Sequence, residues 1–514
     1  MQNAPARQRL GALLYAALAL LAACFLAILT FGYTTDSPIA KDAGENTIAA
    51  YHLAHTGIMG GDALETDNPT PQMRREPLPI AVTALYLLLH PDFAAFYTVA
   101  ELTDGPLTRS AKGVNAFWRF LIAIFVFLLC RELFSRPYVA AGAALLCLVL
   151  SEVSFLSTTP IVDRLYTELP ASALLLAASW CAVRFVRHKN WGRAALLGVA
   201  LGLLALTKAS LLYVGIGFTL LLFVMDAIRL LRRRPSERGL GKLLAIWAAL
   251  YLALFATVGP WIARNAIIFD KPQISSRGEI VLGIRATLMQ YPFDKLLYFF
   301  SPGGLRGNLL GPLLGYDAVD LKPRGELHEL VVAKDRFMQV IAEREADGRS
   351  GDDLAWIFHM AQSYVTEHPI RYIASIPLFA YKGMWFMQEM GLAFNALVLL
   401  CFLGVFFCAL IAGNQVLVAA FGLPVGSFLF ISAFSHALIR YNKPLVPFAV
   451  LAALWLLVFV AQTLSTRWRL SAKLQAIRGL EKHEPAPPDD IHVRLRPPRA
   501  PEPRVGQLRM RAKW

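Results

Sequence analysis

The chain has 514 residues, of which 56% are hydrophobic and 17% charged. Soluble domains carry about 25% charged residues and lack long uncharged apolar runs, so a water-soluble globular class is excluded. The formal charge of +14 is not a nucleic-acid signature: the basic residues cluster beside apolar runs and in the tail, the positive-inside pattern of a membrane protein.

Apolar runs recur near the roughly 20 residues needed to cross about 30 Å of hydrocarbon, and lipid admits runs of that length only as helices. The expected fold is an all-α polytopic membrane protein of about ten transmembrane helices, with interfacial helices and a mainly helical external domain. The first span covers about 10–32, behind Arg7 and Arg9. It is too long for a signal-peptide core and no small-residue cleavage site closes it, so it reads as uncleaved. A first external loop (33–114) follows, with acids and arginines and a 13-residue apolar stretch between Pro77 and Pro91 that suits an interfacial or re-entrant helix.

Spans two to four are expected at about 115–134, 137–154 and 168–186, the last ending in Arg184, Arg187, His188 and Lys189. Spans five (about 193–207) and six (about 210–229) form a pair joined near Lys208, and span seven covers about 242–262. Residues 1–263 thus form an N-terminal transmembrane module. An external domain and interfacial helices fill 264–390, with helices expected near 327–347 and 352–367. Spans eight to ten (about 391–412, 416–434 and 444–464) make up a C-terminal group within 391–470. The Pro- and Arg-rich tail, 471–514, cannot bury a core and is expected to be disordered and cytoplasmic. All six cysteines fall in apolar runs without metal or redox spacing, as small buried hydrophobes do.

Asp42, Glu45, Arg75, Asp163, Arg164, Glu168, Lys208, Arg264 and Arg440 each fall at the expected outer mouth of a span or in the first loop. Singly, each reads as an interfacial anchor or a surface ion pair. Snorkelling alone predicts no bias toward acids, so together they suggest one outer cavity. A carboxylate there can take a proton from a hydroxyl while cations hold a departing phosphate; arginine offers a planar fork of donors, lysine a point charge.

Seven short motifs occur in one order. They are Asp42 eight before Ala50 with Leu53 and Thr56-Gly57; Arg75-Glu76-Pro77-Leu78; Tyr166-Thr167-Glu168-Leu169; and Gly198, Gly202 with Leu206-Thr207-Lys208. Then come Pro260-Trp261-Ile262-Ala263-Arg264-Asn265, Glu367-His368-Pro369, and Arg440-Tyr441-Asn442-Lys443-Pro444-Leu445-Val446-Pro447. From about residue 10 to 465 the chain resembles GT-C class integral-membrane glycosyltransferases, of the protein-mannosyltransferase and lipid A aminoarabinose-transferase type. The resemblance implies a polyprenyl-phosphate-linked sugar donor, a lipid, glycan or protein acceptor, and a bacterial inner (plasma) membrane location with the site facing the periplasm and both termini cytoplasmic. It carries the general-base role to Asp42 and donor-phosphate contacts to Arg264, Lys208 and Arg440, with Arg75 shaping the first loop. Tyr441, Glu45, Asp163, Arg164 and Glu168 complete the expected substrate-binding set.

The chain departs from the family pattern twice: Ala43 stands where many relatives have a second acid, and Lys208 where they usually have Arg. The first weakens a metal site, since a hard cation wants several carboxylate oxygens. The expected chemistry requires no cofactor and no metal. A divalent metal is weakly supported; His52 and His55 with Asp42 or Glu45 are a poor zinc signal, and His436 reads as a hydrogen-bonding group. Partners besides donor and acceptor are membrane lipids, with no nucleic acid. A transporter or flippase of lipid-linked sugars, or an oligosaccharide ligase or polymerase, are the alternative readings.

Overall fold

A computed structural model describes residues 4–62, 65–93, 97–157, 161–232, 237–301, 309–316, 350–435 and 438–481. His436, the helix expected near 327–347, and the tail from 482 onward lie outside the described residues. The chain divides into two compact units, 1–458 and 459–514, the second beginning within the last helix.

The protein is an all-α polytopic membrane protein. Nine helices among the described residues are long and apolar enough to cross a membrane: Leu10–Tyr33, Thr108–Leu133, Pro137–Phe155, Glu168–Arg187, Ser210–Arg232, Leu240–Phe269, Gly391–Ile411, Gln415–Phe434 and Ile439–Trp468. Their ends fall within a few residues of most expected spans. The remaining expected span, span five, is a shorter apolar helix, Trp191–Thr207, of 17 residues. At 1.5 Å per residue it rises about 25 Å, because Asn190 caps its start by accepting from Arg193 N and Lys208 ends it.

In chain order the helices are α1 (Ala4–Tyr33), α2 (Lys41–Thr56), α3 (Pro77–Leu89), α4 (Val99–Asp104), α5 (Thr108–Lys112), α6 (Asn115–Leu133), α7 (Pro137–Phe155), α8 (Glu168–Arg187), α9 (Trp191–Thr207), α10 (Ser210–Arg232), α11 (Glu237–Phe269), α12 (Arg277–Leu288) and α13 (Phe293–Phe300). They continue with α14 (Gly311–Leu314), α15 (Ser350–Glu367), α16 (Pro369–Gly383), α17 (Gly391–Ile411), α18 (Gln415–Phe434) and α19 (Val446–Glu481).

Helix α8 is the centre of the first unit: it is buried along nearly its whole length and packs on α6, α9 and α18. Helices α9 and α11 pack closely, and glycines make the approach possible. A Cβ at Gly198 would stand 2.2 Å from Leu250 O, and one at Gly202 would stand 2.5 Å from Thr257 Cβ. Two glycines four apart let the backbones approach, which is how helices gain packing in lipid.

The segment between the first two spans is itself a packed layer. Ala43, Ala50 and Tyr51 of α2 meet Ile80, Ala84 and Leu87 of α3 and Val99 and Leu102 of α4. Pro77 opens α3 at its first turn, where the missing N–H costs nothing. One expected boundary moves. Pro260 does not end α11, which continues to Phe269 and stops where Asp270 adopts φ +55°; Arg264 therefore belongs to a helix and not to the start of a separate domain.

Candidate functional site

The chain enters α2 through Lys41, whose φ of +56° lies in the left-handed region. A non-glycine residue there stores strain of about 1 kcal/mol, and it delivers Asp42 to the first turn of α2, where the helix dipole favours an anion. Three guanidinium groups from three distant segments meet this carboxylate. Arg75 Nη2 donates to Asp42 Oδ1 at 2.9 Å, Arg277 Nη2 donates to the same oxygen at 2.8 Å, and Arg440 Nη2 donates to Oδ2. Arg75 also donates through Nε to Glu45 Oε2 at 2.6 Å. Burial opposes ionisation of Asp42, but the charges of Arg277, Arg75 and Arg440 outweigh it and hold the carboxyl well below the usual range.

Asp42, Arg75, Arg277 and Arg440 line one cavity of about 430 Å³ together with Glu168 and Lys208. Glu168 Oε1 lies 3.6 Å from Arg440 Nε, and the guanidinium of Arg440 stacks over Tyr166 at 4.2 Å. Lys208, in the link between α9 and α10, is different in kind. Its Nζ is shielded from solvent, sits 4.8 Å from the Tyr441 ring centroid, and has no hydrogen-bond partner. Burial lowers its proton affinity, and Glu168 and Glu76 only partly restore it. The lining contains four cations (Arg75, Lys208, Arg277, Arg440) and four acids (Asp42, Glu76, Glu168, Glu279). Its charge is balanced yet unevenly paired. Another part of the lining is apolar: Leu282, Phe358, Phe430 and Phe434 join Tyr213, and Tyr213 is 66% and Phe434 49% exposed.

Of the residues singled out in the sequence, Asp42, Arg75, Glu168, Lys208, Arg440 and Tyr441 come together here, and Glu45 stands behind Arg75. Arg264, Asp163 and Arg164 do not line the cavity. Arg264 turns back to donate to Gln72 O at 3.0 Å and Asn265 Oδ1 at 2.8 Å, because its helix runs on past the expected exit. Asp163 accepts from Thr35 N at 2.7 Å and from the buried Lys112 at 3.0 Å, and Arg164 donates to Pro38 O at 2.8 Å. These groups fasten the first loop to the helices beneath it.

No spacing along the chain singles out Arg277, which lies 235 positions from Asp42. Its local signal is a restart: α11 stops at Phe269, Pro272 follows, and Ser275-Ser276 precede α12. Glu279, Gln273 and Ser275 were likewise not evident.

His52 and His55 do not line the cavity. His52 Nε2 hydrogen-bonds with Asp62 O at 2.9 Å and His55 Nδ1 with Tyr51 O at 2.9 Å. No group of three His, Cys, Asp or Glu suited to a metal ion occurs among the described residues. What the cavity can do chemically is hold an anion: Lys208 is already without a hydrogen-bond partner, and guanidiniums can turn from Asp42 to a ligand. No family model matches the chain, and none of the curated proteins does.

Proposed function

We propose that the protein is a membrane glycosyltransferase of the GT-C kind, moving a sugar from a polyprenyl-phosphate-linked donor to an acceptor hydroxyl. One observation carries this reading: a single cavity joins the Asp42–arginine cluster to an exposed aromatic wall. A lipid-linked phosphate has the same two-sided character. The motif resemblance described above supports it as well.

In the proposed reaction the acceptor oxygen attacks the anomeric carbon as the carbon–oxygen bond to phosphate breaks. The bond's electron pair leaves on the phosphate and the acceptor's proton passes to Asp42. A carboxylate clasped by three guanidiniums is a weak base. The donor phosphate corrects this by competing for Arg277 and Arg440, which raises the proton affinity of Asp42 only when substrate is present. Lys208 then meets the same phosphate and offsets the charge that grows on it as the bond breaks.

Basic residues at the far ends of the same helices (Arg131, Arg184, Arg187, Lys189, Arg229 and Arg232) support a cytoplasmic assignment for that end. The cavity then faces the non-cytoplasmic side, the periplasm in a bacterial inner membrane. The test is turnover of labelled prenyl-phosphate sugars by purified full-length protein in detergent, where no gradient can drive transport. Release of prenyl phosphate by the wild type and its loss in Asp42→Asn is the expected result. A wild type that binds donor without consuming it, under every acceptor offered, rejects the transferase in favour of a carrier.

A further inference from the structure

Of the Pro260-Trp261-Ile262-Ala263-Arg264-Asn265 motif only Ile262 lines the cavity, yet its donors converge on one segment. Trp261 Nε1 donates to Ile274 O at 2.9 Å, and the fully buried Asn265 donates through Nδ2 to Gln273 O at 2.7 Å and Ile274 O at 3.2 Å. From the other side Ser276 N donates to Met73 O at 3.1 Å, and Arg264 ties Gln72 of the same loop. Residues 273–276 are thus a strap buckled to α11 and to the first loop through backbone groups, so its side chains are free for the cavity.

Two of those side chains, and that of Glu279 in the first turn of α12, end in polar atoms that are shielded from solvent and have no hydrogen-bond partner: Gln273 Nε2, Ser275 Oγ and Glu279 Oε2. Ser275 is only 8% exposed. The Gln273 amide lies near enough to Glu279 to lower its proton affinity, but neither Nε2 nor Oε2 completes a sound hydrogen bond. Buried polar atoms are nearly always paired, so three unpaired ones on one cavity wall point to a ligand. Their chemistry is specific. An amide N–H only donates, a carboxylate only accepts, and a hydroxyl does either. The cation nearest them on this segment, Arg277, is held by Asp42, which disfavours a second phosphate.

We propose that Gln273, Ser275 and Glu279 form a hydroxyl-reading subsite that grips the sugar ring of the donor, Gln273 donating to one ring oxygen and Glu279 accepting from a neighbouring hydroxyl. The proposal rests on the transferase reading and adds to it where sugar selectivity resides. It is tested by binding to full-length protein in detergent, using a short-chain prenyl methyl phosphate and the mono-hexosyl and mono-pentosyl esters of the same prenyl phosphate, all with one negative charge. Wild type should bind at least one sugar ester about tenfold tighter than the methyl ester, as expected for the net gain of a few hydrogen bonds. In Gln273→Ala with Ser275→Ala that preference should shrink to about twofold while the methyl ester binds as before, which also reports that the variant is folded. A preference that survives the double substitution, or a wild type that prefers no sugar ester, overturns the subsite and leaves the transferase reading standing. Failure of the wild type to bind any of these phosphates overturns both.

Discussion

The two ends of the same helices hold ion clusters of opposite character. At the end bearing Arg187, Glu132 takes Arg184 at 3.2 Å and Arg187 at 3.0 Å, and buried Asp226 takes Lys189 and Gln415. Each carboxylate there has its own partners, and Arg229 caps the turn at Gly413. At the cavity end one carboxylate is shared by three arginines while Lys208 Nζ has none. Pairing of the first kind stabilises a fold and asks for nothing more. The second leaves a cation buried at a cost the fold does not recover, which is what a site prepared for an anion requires.

Substitution at the shared carboxylate should have the largest effect. Asp42→Asn should lower transfer about a thousandfold, within the range for a lost general base, measured as prenyl phosphate released by purified protein. It should also bind prenyl phosphate about tenfold tighter, because the internal competitor for Arg277 and Arg440 is gone. A variant that binds the phosphate more weakly would show that Asp42 does not compete for those arginines.

The matched change at the other end should do the reverse. Asp226→Asn leaves Lys189 without its counter-charge and should cost about 2 kcal/mol of stability, read from thermal unfolding in detergent, with transfer per folded molecule unchanged. A third substitution separates the ends most clearly. Lys208→Met removes a buried, unpartnered ammonium, so it should leave the melting temperature unchanged or higher. Donor affinity should fall by roughly thirtyfold, the loss of one charge-assisted contact of about 2 kcal/mol.

Helices were legible from the sequence because span length and basic flanks are local properties. Arg184 to Lys189 marks the end of α8, and Gly198 and Gly202 mark the face of α9 that meets α11. Asp42, Arg75, Lys208 and Arg440 could be grouped because each stands beside a span end or in the first loop. The rest depends on where long-range turns bring the chain. Arg264 looked like a phosphate ligand by position, but α11 continues to Phe269 and carries it to Gln72 O. Arg277 sits in a segment without span, repeat or spacing signal, and only the strap that restarts the chain at Ser276 brings it to Asp42. The same holds for the three polar atoms of that strap and the first turn of α12, whose lack of partners is a property of the packed cavity.

The smallest effect concerns two acids of one cavity that should titrate with opposite signs. Asp42 has its proton affinity depressed by the arginines, so its contribution to stability is present above the unfolded value of about 3.9 and is lost as pH falls through its lower folded value. Burial has the opposite effect on Glu279: desolvation raises its proton affinity against the pull of Lys271 and Gln273. Its folded form holds the proton longer than the unfolded chain does, so stability declines as pH rises from about 4.3, the unfolded value, through the folded one. Relative to Asp42→Asn, wild type should therefore lose stability only below about pH 4. Relative to Glu279→Gln it should lose stability on the alkaline side of that point, by a smaller amount, and then level off. Urea titrations of the three proteins across a pH series read both slopes. A Glu279→Gln curve parallel to that of wild type would mean that Glu279 is not desolvated and that the strap wall is open to water, removing the basis for treating its unpaired atoms as ligand contacts.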